Sequence, residues 1–195
     1  SNGYSVGAQV RSLGLDCDDL GIVRDDLDAL RQAIREGLKR DVLLLSGGVS
    51  AGDWDLVIPA LEAEGVKHAM HQVRIKPGKP LFYGTRGRQR IFGLPGNPVS
   101  TFVTFEVFVR PYLGRMGGDP AADRRRVRAR LSAALTKRVD REQYLPARLH
   151  PGSVELLPWR GSGDLFTVAR ANGLVVVPVE TSYEAGDEVE VLTLE

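Results

Sequence analysis

The chain has 195 residues, 43% of them hydrophobic, and its 26 Lys and Arg against 25 Asp and Glu leave a formal net charge of +1. That length buries a sizeable core and holds one or two domains, while the near-neutral balance excludes the broad electrostatic attraction on which nucleic-acid and membrane-surface binding rest. Cys17 is the single cysteine, which excludes a disulfide framework or a thiolate metal cluster and points to a reducing compartment, the cytoplasm.

Val6 to Leu13 has helical spacing and Gly14 punctuates it. Cys17 to Val23 reads as a short strand, followed by Arg24-Asp25-Asp26 with Asp25 or Asp26 as N-cap. Leu27, Leu30, Ile34 and Leu38 then recur at helical period, so 26–39 is an amphipathic helix. Val42-Leu43-Leu44-Leu45 is a continuous apolar run, the pattern of a strand buried on both faces. A glycine-rich loop over 46–52 leads to a helix over 53–64, closed by Gly65. Strands are expected at 66–75, 81–85 and 90–92, and a long apolar helix from Val99 to about Met116, with Pro111 able to kink it. This alternation predicts an α/β unit over 1–118, three layers with a mostly parallel central sheet.

The character changes after Gly117-Gly118-Asp119-Pro120. Short strand candidates at 127–135, 144–149, 154–158, 174–177 and 188–192 are separated by Gly, Pro and Asp turns, with no helix expected between them. A small all-β barrel or sandwich over 122–195 is the expectation. The run Arg124 to Arg130, alternating with apolar residues in its second half, reads as a solvated linker entering an edge strand rather than a nucleic-acid patch. His68 and His71 lie three apart on an expected strand, where period two sends them to opposite faces. With His150 distant in sequence, no histidine metal site is expected. No run approaches the roughly 20 apolar residues of a membrane span, and no leader precedes the first helix. The abrupt opening at Ser1-Asn2, as if entering a helix, suggests a piece of a longer chain.

Three stiff loops carry the chemistry. In Gly93-Leu94-Pro95-Gly96-Asn97-Pro98-Val99-Ser100, two prolines fix φ and two glycines open angles closed to other residues. Asn97 stands where an N-cap belongs, with Pro98 at the first helical position. Unpaired N–H groups and a positive dipole end at one fixed place make an anion site. In Ser46-Gly47-Gly48-Val49-Ser50-Ala51-Gly52-Asp53-Trp54-Asp55, the glycines turn N–H groups toward a ligand and Ser46 and Ser50 add hydroxyls. It lacks the Gly-Lys-Ser/Thr ending of a nucleotide P-loop. Asp53 and Asp55 open the next helix as caps or, paired beside a glycine loop, as holders of a hard cation such as Mg²⁺, which Asp25 would join. Lys76-Pro77-Gly78-Lys79-Pro80 places two ammonium groups on rigid backbone, and a cation held about 4 Å from an anion gains roughly 4 kcal/mol at an effective dielectric of 20. Together the loops describe a pocket for an anionic, phosphorylated ligand beside a divalent cation.

In order and spacing, the motifs at 46–55, 75–80 (Ile-Lys-Pro-Gly-Lys-Pro) and 93–100 resemble those of the molybdopterin molybdenumtransferase family, which includes the bacterial enzyme and the gephyrin E domain. The likeness is sharp to residue 117 and diffuse after it, and it implies the molybdopterin-binding fold. It implies insertion of molybdate into the dithiolene of adenylylated molybdopterin, with release of AMP, assisted by Mg²⁺. Position by position, Asp25 and Asp55 match the family's functional acidic residues, and Asp53 does so less closely. Lys76 and Lys79 match its basic pair, Pro95, Pro98 and Ser100 its loop residues, and Arg148 and Ser162 residues near molybdate. The resemblance also implies a cytoplasmic enzyme acting on small molecules, without nucleic acid or membrane, and a homodimer at full length. The family carries two further N-terminal domains and a Thr-Gly-Asp-Glu-Leu loop upstream of the Ser1 position, so this chain alone is expected to bind the pterin weakly and turn over poorly. A molybdopterin adenylyltransferase-like enzyme and a non-catalytic scaffold are the alternatives; Trp54-Asp55 and the trailing β-domain speak against the first.

Overall fold

The computed structural model describes residues 2–49, 56–119, 123–136 and 139–194. The chain forms two compact units, one of Ser1–Val73 with Gly78–Arg110 and one of Arg74–Pro77 with Pro111–Glu195.

In the first unit, helix α1 (Asn2–Arg11) is followed by an irregular stretch, so the strand expected at Cys17 to Val23 does not form; Leu20 and Ile22 there are exposed. A lone short apolar run has no neighbour to complete a ladder, and here Gly21 turns at φ 78°. Helix α2 (Leu27–Gly37) begins where the sequence places it, and of the two candidate caps Asp26 is the one used, accepting from the Ala29 N–H at 2.9 Å. Strand β1 (Val42–Ser46), helix α3 (Val57–Ala63) and strand β2 (Lys67–His71) follow, then β4 (Phe82–Arg86) and β5 (Gln89–Leu94); β3 (Ile75–Lys76) belongs to the second unit.

The sheet, in order β1-β5-β4-β2, is mixed rather than mostly parallel. Among the described residues β1 and β5 are its one parallel pair, and β4 pairs antiparallel with both neighbours. The cause is local: Arg86 pairs with Gln89 across the two-residue turn Gly87-Arg88, with Gly87 at φ 56°, and such a connection can only make a hairpin. Leu30 and Ile34 of α2, Leu38 at its C-cap, and Val57, Ala60 and Leu61 of α3 pack with Leu43, Phe82 and Ile91 of the sheet and with Val49.

The register between β2 and β4 shifts between His68 and Met70, and this bulge overturns the expectation that His68 and His71 face opposite ways. One extra residue reverses the alternation. The two rings meet edge to face with centroids 5.9 Å apart, and His68 stacks on Phe82 at 5.2 Å.

Glu64 at the end of α3 accepts from Arg31 Nε at 2.7 Å and from Arg35 Nε at 2.8 Å, clasping α3 to α2. The Arg35 and Arg31 hydrogen bonds hold its carboxyl down at about 2, against an ordinary value of 4.5. Because the folded value lies below the unfolded one, the stabilisation is complete above about pH 4.5 and is lost as pH falls toward 2. The melting-temperature gap between the wild type and Glu64→Gln is therefore expected to be widest near pH 6 and to close between pH 4.5 and 2. A gap independent of pH in a calorimetric series would contradict the clasp.

After β5, helix α4 (Pro98–Thr104) passes into a π-helical stretch (Phe105–Val109) and then α5 (Arg110–Met116). The expected helix is present, but Pro111 is accommodated by a change of winding. Proline has no N–H and its ring presses on the carbonyl four residues back. Just before it, the Arg110 N–H reaches five residues back to Phe105 O.

The second unit is a closed barrel. β6 (Arg126–Leu131), β7 (Glu142–His150), β8 (Ser153–Leu156), β9 (Gly173–Val177) and β10 (Glu188–Thr193) run in order β7-β8-β6-β10-β9, and β9 pairs back onto β7. β3 joins β7 in parallel, so the stretch expected as one strand at 66–75 is divided between two sheets. Ala129, Leu131, Ala147, Val154, Val175, Val177, Val189 and Val191 fill the interior at alternate positions. Closure corrects the reading of β6 as an edge strand: it pairs with β8 on one side and β10 on the other. Its outward arginines pair with β10, Arg126 with Glu190 and Arg128 with Glu188. A helix also lies where none was expected, α6 (Leu165–Arg170), capped by Asp164, which accepts from the Thr167 N–H at 3.2 Å.

Candidate functional site

Ser46 and Leu94 end β1 and β5 and are register partners in the parallel pair, so the loops after them leave the sheet side by side. Carboxyl ends of strands are where open α/β sheets bind ligands. The Gly47 N–H donates to Leu94 O at 3.0 Å. Gly47 (φ 88°) and Gly48 (φ 65°) are both left-handed, a pair of conformations that side chains rarely take. The loops run so close that a Cβ on Gly96 would touch Gly47 Cα at 3.6 Å. Asn2 Nδ2 donates to Ser46 Oγ at 2.8 Å and to Gly96 O at 2.7 Å, and Ser46 Oγ lies 3.3 Å from Pro95 O. From below, His71 Nε2 lies 3.0 Å from Val49 O. A carbonyl only accepts, so that nitrogen carries the ring proton.

Asn97 holds the N-cap position with extended backbone and Pro98 at the first turn, as the sequence predicts, but its side chain makes no cap bond to the helix. The loop is braced instead by Thr101, whose Oγ1 lies 2.5 Å from Pro95 O and 3.1 Å from Asn97 O.

Eight of the expected site residues thus gather at this one edge: Ser46, Gly47, Gly48, Pro95, Gly96, Asn97, Pro98 and Ser100. Ser46, Gly48, Gly96 and Asn97 are exposed there, whereas Pro95 and Ser100 are buried beneath them. Ser50, Asp53 and Asp55 lie outside the described residues. Asp25 is exposed one residue before the α2 cap, and Lys79 is exposed, its carbonyl accepting from the Val73 N–H at 3.0 Å. In the second unit Lys76 is exposed on β3, in register with Gln143. Arg148 stands on β7 opposite Glu155, about 16 Å farther along the strand at roughly 3.3 Å per residue. The barrel therefore does not bring Lys76 and Arg148 together. Ser162 lies in the turn before α6.

Two features escape a reading of motifs alone. One is Asn2, whose partners are 44 and 94 residues away. The other is a buried polar cluster: Glu106 (1% exposed) and Arg110 (6%) pair at 2.8 Å, Gln9 Nε2 donates to Glu106 Oε1 at 2.8 Å, and Arg110 Nη2 donates to Ser12 Oγ at 2.9 Å. A Glu inside an apolar helix with Arg four residues on is its sequence signal.

An α/β domain with two glycine loops at the carboxyl ends of its parallel strand pair, followed by a closed β-barrel, is the class that this fold defines. Residues 1–115 match the family described as a probable molybdopterin binding domain and residues 128–194 the MoeA C-terminal region (domain IV), and the chain belongs to that molybdopterin-binding family. It is 35% identical over 209 residues to the molybdopterin molybdenumtransferase of Nostoc sp., covering 100% of this chain and 47% of that protein. Its structure is similar to that of a molybdopterin biosynthesis MoeA protein from Pyrococcus horikosii, with a TM-score of 0.84 and 30% identity over 100% of this chain and 48% of that one. A molybdenum cofactor biosynthesis protein from Pyrococcus furiosus gives 0.80 and 25% identity, with 99% and 64% covered. The chain spans about half the length of the curated relatives it matches.

Proposed function

We propose that this chain is the ligand-binding half of a molybdenum insertase, which places molybdate into the dithiolene of adenylylated molybdopterin and releases AMP. The observation that carries the reading is the double loop edge over β1 and β5, where Gly48, Gly96 and Asn97 are exposed and the loops are tied by the Gly47 N–H to Leu94 O and by Asn2 to Gly96 O. Loops already held in place cost little reorganisation on binding. Lys76 and Lys79, on their stiff Pro-Gly segment, neutralise oxyanion charge on the ligand's phosphate. Asp25 and Asp55 are the acidic residues of the reaction, and Arg148 and Ser162 of the barrel contribute to molybdate binding. The enzyme works in the cytoplasm as a homodimer; among the described residues no helix is long and apolar enough to cross a membrane.

Magnesium is the expected metal, with Asp53 and Asp55 as its holders. Both carboxylates lie outside the described residues.

The test is AMP release on supply of molybdate. Lys79→Ala and Lys76→Ala are each expected to lower the rate at least tenfold with unchanged melting temperature. Unchanged rates in both variants refute the assignment. Formation of adenylylated molybdopterin from ATP would instead mark an adenylyltransferase, and partner binding without turnover a scaffold.

A further inference from the structure

We propose that Asn2 is a positioning residue, whose side-chain amide sets the spacing of the two loops that receive the ligand. Its consequence for binding rests on the molybdopterin reading above; its hydrogen-bond geometry does not.

An amide nitrogen has two protons in a planar fork, and Asn2 spends one on each loop. The first goes to Ser46 Oγ at the end of β1, the second to Gly96 O in the loop after β5. Ser46 Oγ in turn lies 3.3 Å from Pro95 O, so one side chain at the start of α1 closes a triangle across both loops. An asparagine at a helix start ordinarily bonds to its own first turn; here the amide reaches out of its helix to segments 44 and 94 residues away.

The other end of α1 is held just as firmly. Gln9, seven residues on and about 10 Å along a helix at 1.5 Å per residue, donates to the buried Glu106 carboxylate. Ser12, just past the helix, accepts from Arg110. Glu106 lies in the π-helical stretch, a deviation found frequently at functional sites. α1 therefore acts as a stiff strut with its foot in the buried ion pair and its tip on the two loops. Gly48, Gly96 and Asn97 are exposed, and this tie supplements the Gly47 N–H bond to Leu94.

The test compares Asn2→Ala with the isosteric Asn2→Asp by amide hydrogen exchange and by calorimetric titration with molybdopterin. In Asn2→Ala, exchange at Gly47 should rise about tenfold and Kd about tenfold, equivalent to about 1.4 kcal/mol, with an unchanged melting temperature. Asn2→Asp should match it at neutral pH, because a carboxylate has no proton to give Gly96 O. As pH falls through the carboxyl range the protonated acid donates again, and its affinity should recover toward the wild type while Asn2→Ala does not. Wild-type exchange and affinity in both variants, or no recovery of Asn2→Asp at low pH, would overturn the role. If the wild-type chain itself takes up no molybdopterin, the proposed function falls, and exchange at Gly47 still decides whether Asn2 holds the loops.

Discussion

Glu106→Ala is expected to destabilise the first unit by about 3–5 kcal/mol, the range for removing one partner of a buried ion pair. Whole domains are stable by only about 5–15 kcal/mol, so this one change takes a large share. The size follows from what remains. The Glu106 side chain is fully buried and that of Arg110 nearly so, and deleting the carboxylate leaves a guanidinium in the interior without its counter-charge. Gln9 loses the acceptor for its Nε2–H as well, and an orphaned buried donor costs about 1–3 kcal/mol by itself. α1 should loosen first, because Gln9 and Ser12 are its ties to this cluster. A urea series followed by circular dichroism measures the loss, and hydrogen exchange locates it in α1. The double variant Glu106→Met with Arg110→Leu should recover the part of the loss due to the unpaired guanidinium, since a well-packed apolar pair replaces a buried ion pair at little or no cost, while the Gln9 share remains. A double variant as unstable as the single one would mean that shape, not charge, governs this position.

The same cluster shows what a motif reading passes over. Val99 to Val109 looks like core because almost every residue is apolar, and while Arg110 four residues on marks the ion pair of Glu106, nothing local marks Gln9, which lies 97 residues earlier. The amphipathic period of 26–39 and the alternation in the barrel strands were legible, because each element's own sequence sets its buried face. The three loops were legible because glycine and proline state their backbone geometry locally, and two of them do meet over β1 and β5. Strand direction was missed although its cause was in view: two residues between Arg86 and Gln89 permit only a hairpin. The histidine pair was missed because a single bulged residue, invisible in composition, reverses the alternation along β2. The splitting of 66–75 depends on partners in two separate sheets, and no local pattern encodes that. Asn2 belongs with these, a residue whose importance lies wholly in distant contacts.

Gly93→Ala should both destabilise the first unit and weaken ligand binding. A Cβ there would sit 2.5 Å from Val49 Cγ1, closer than real side chains approach, and a tight 3.1 Å from Phe82 Cβ. Strand β5 cannot retreat, because Gly93 is paired to Leu45 on one side and to Phe82 on the other. Val49 must move instead, yet it is 1% exposed and its carbonyl accepts from His71. Overpacking of this kind costs about 1–3 kcal/mol. The displaced residue directly follows Gly47-Gly48, so the added methyl pushes on the loop from beneath. Gly84→Ala is the matched control. Its Cβ would meet Val66 Cγ1 at 2.7 Å and Phe82 Cε1 at 2.9 Å, a similar insult against α3's trailing turn rather than the glycine loop. Both variants should lower the unfolding midpoint by comparable amounts, and only Gly93→Ala should also raise Kd for molybdopterin, by tenfold or more. Equal affinity in the two would show that Val49 yields without moving the loop, and that the floor of the sheet does not shape the site above it.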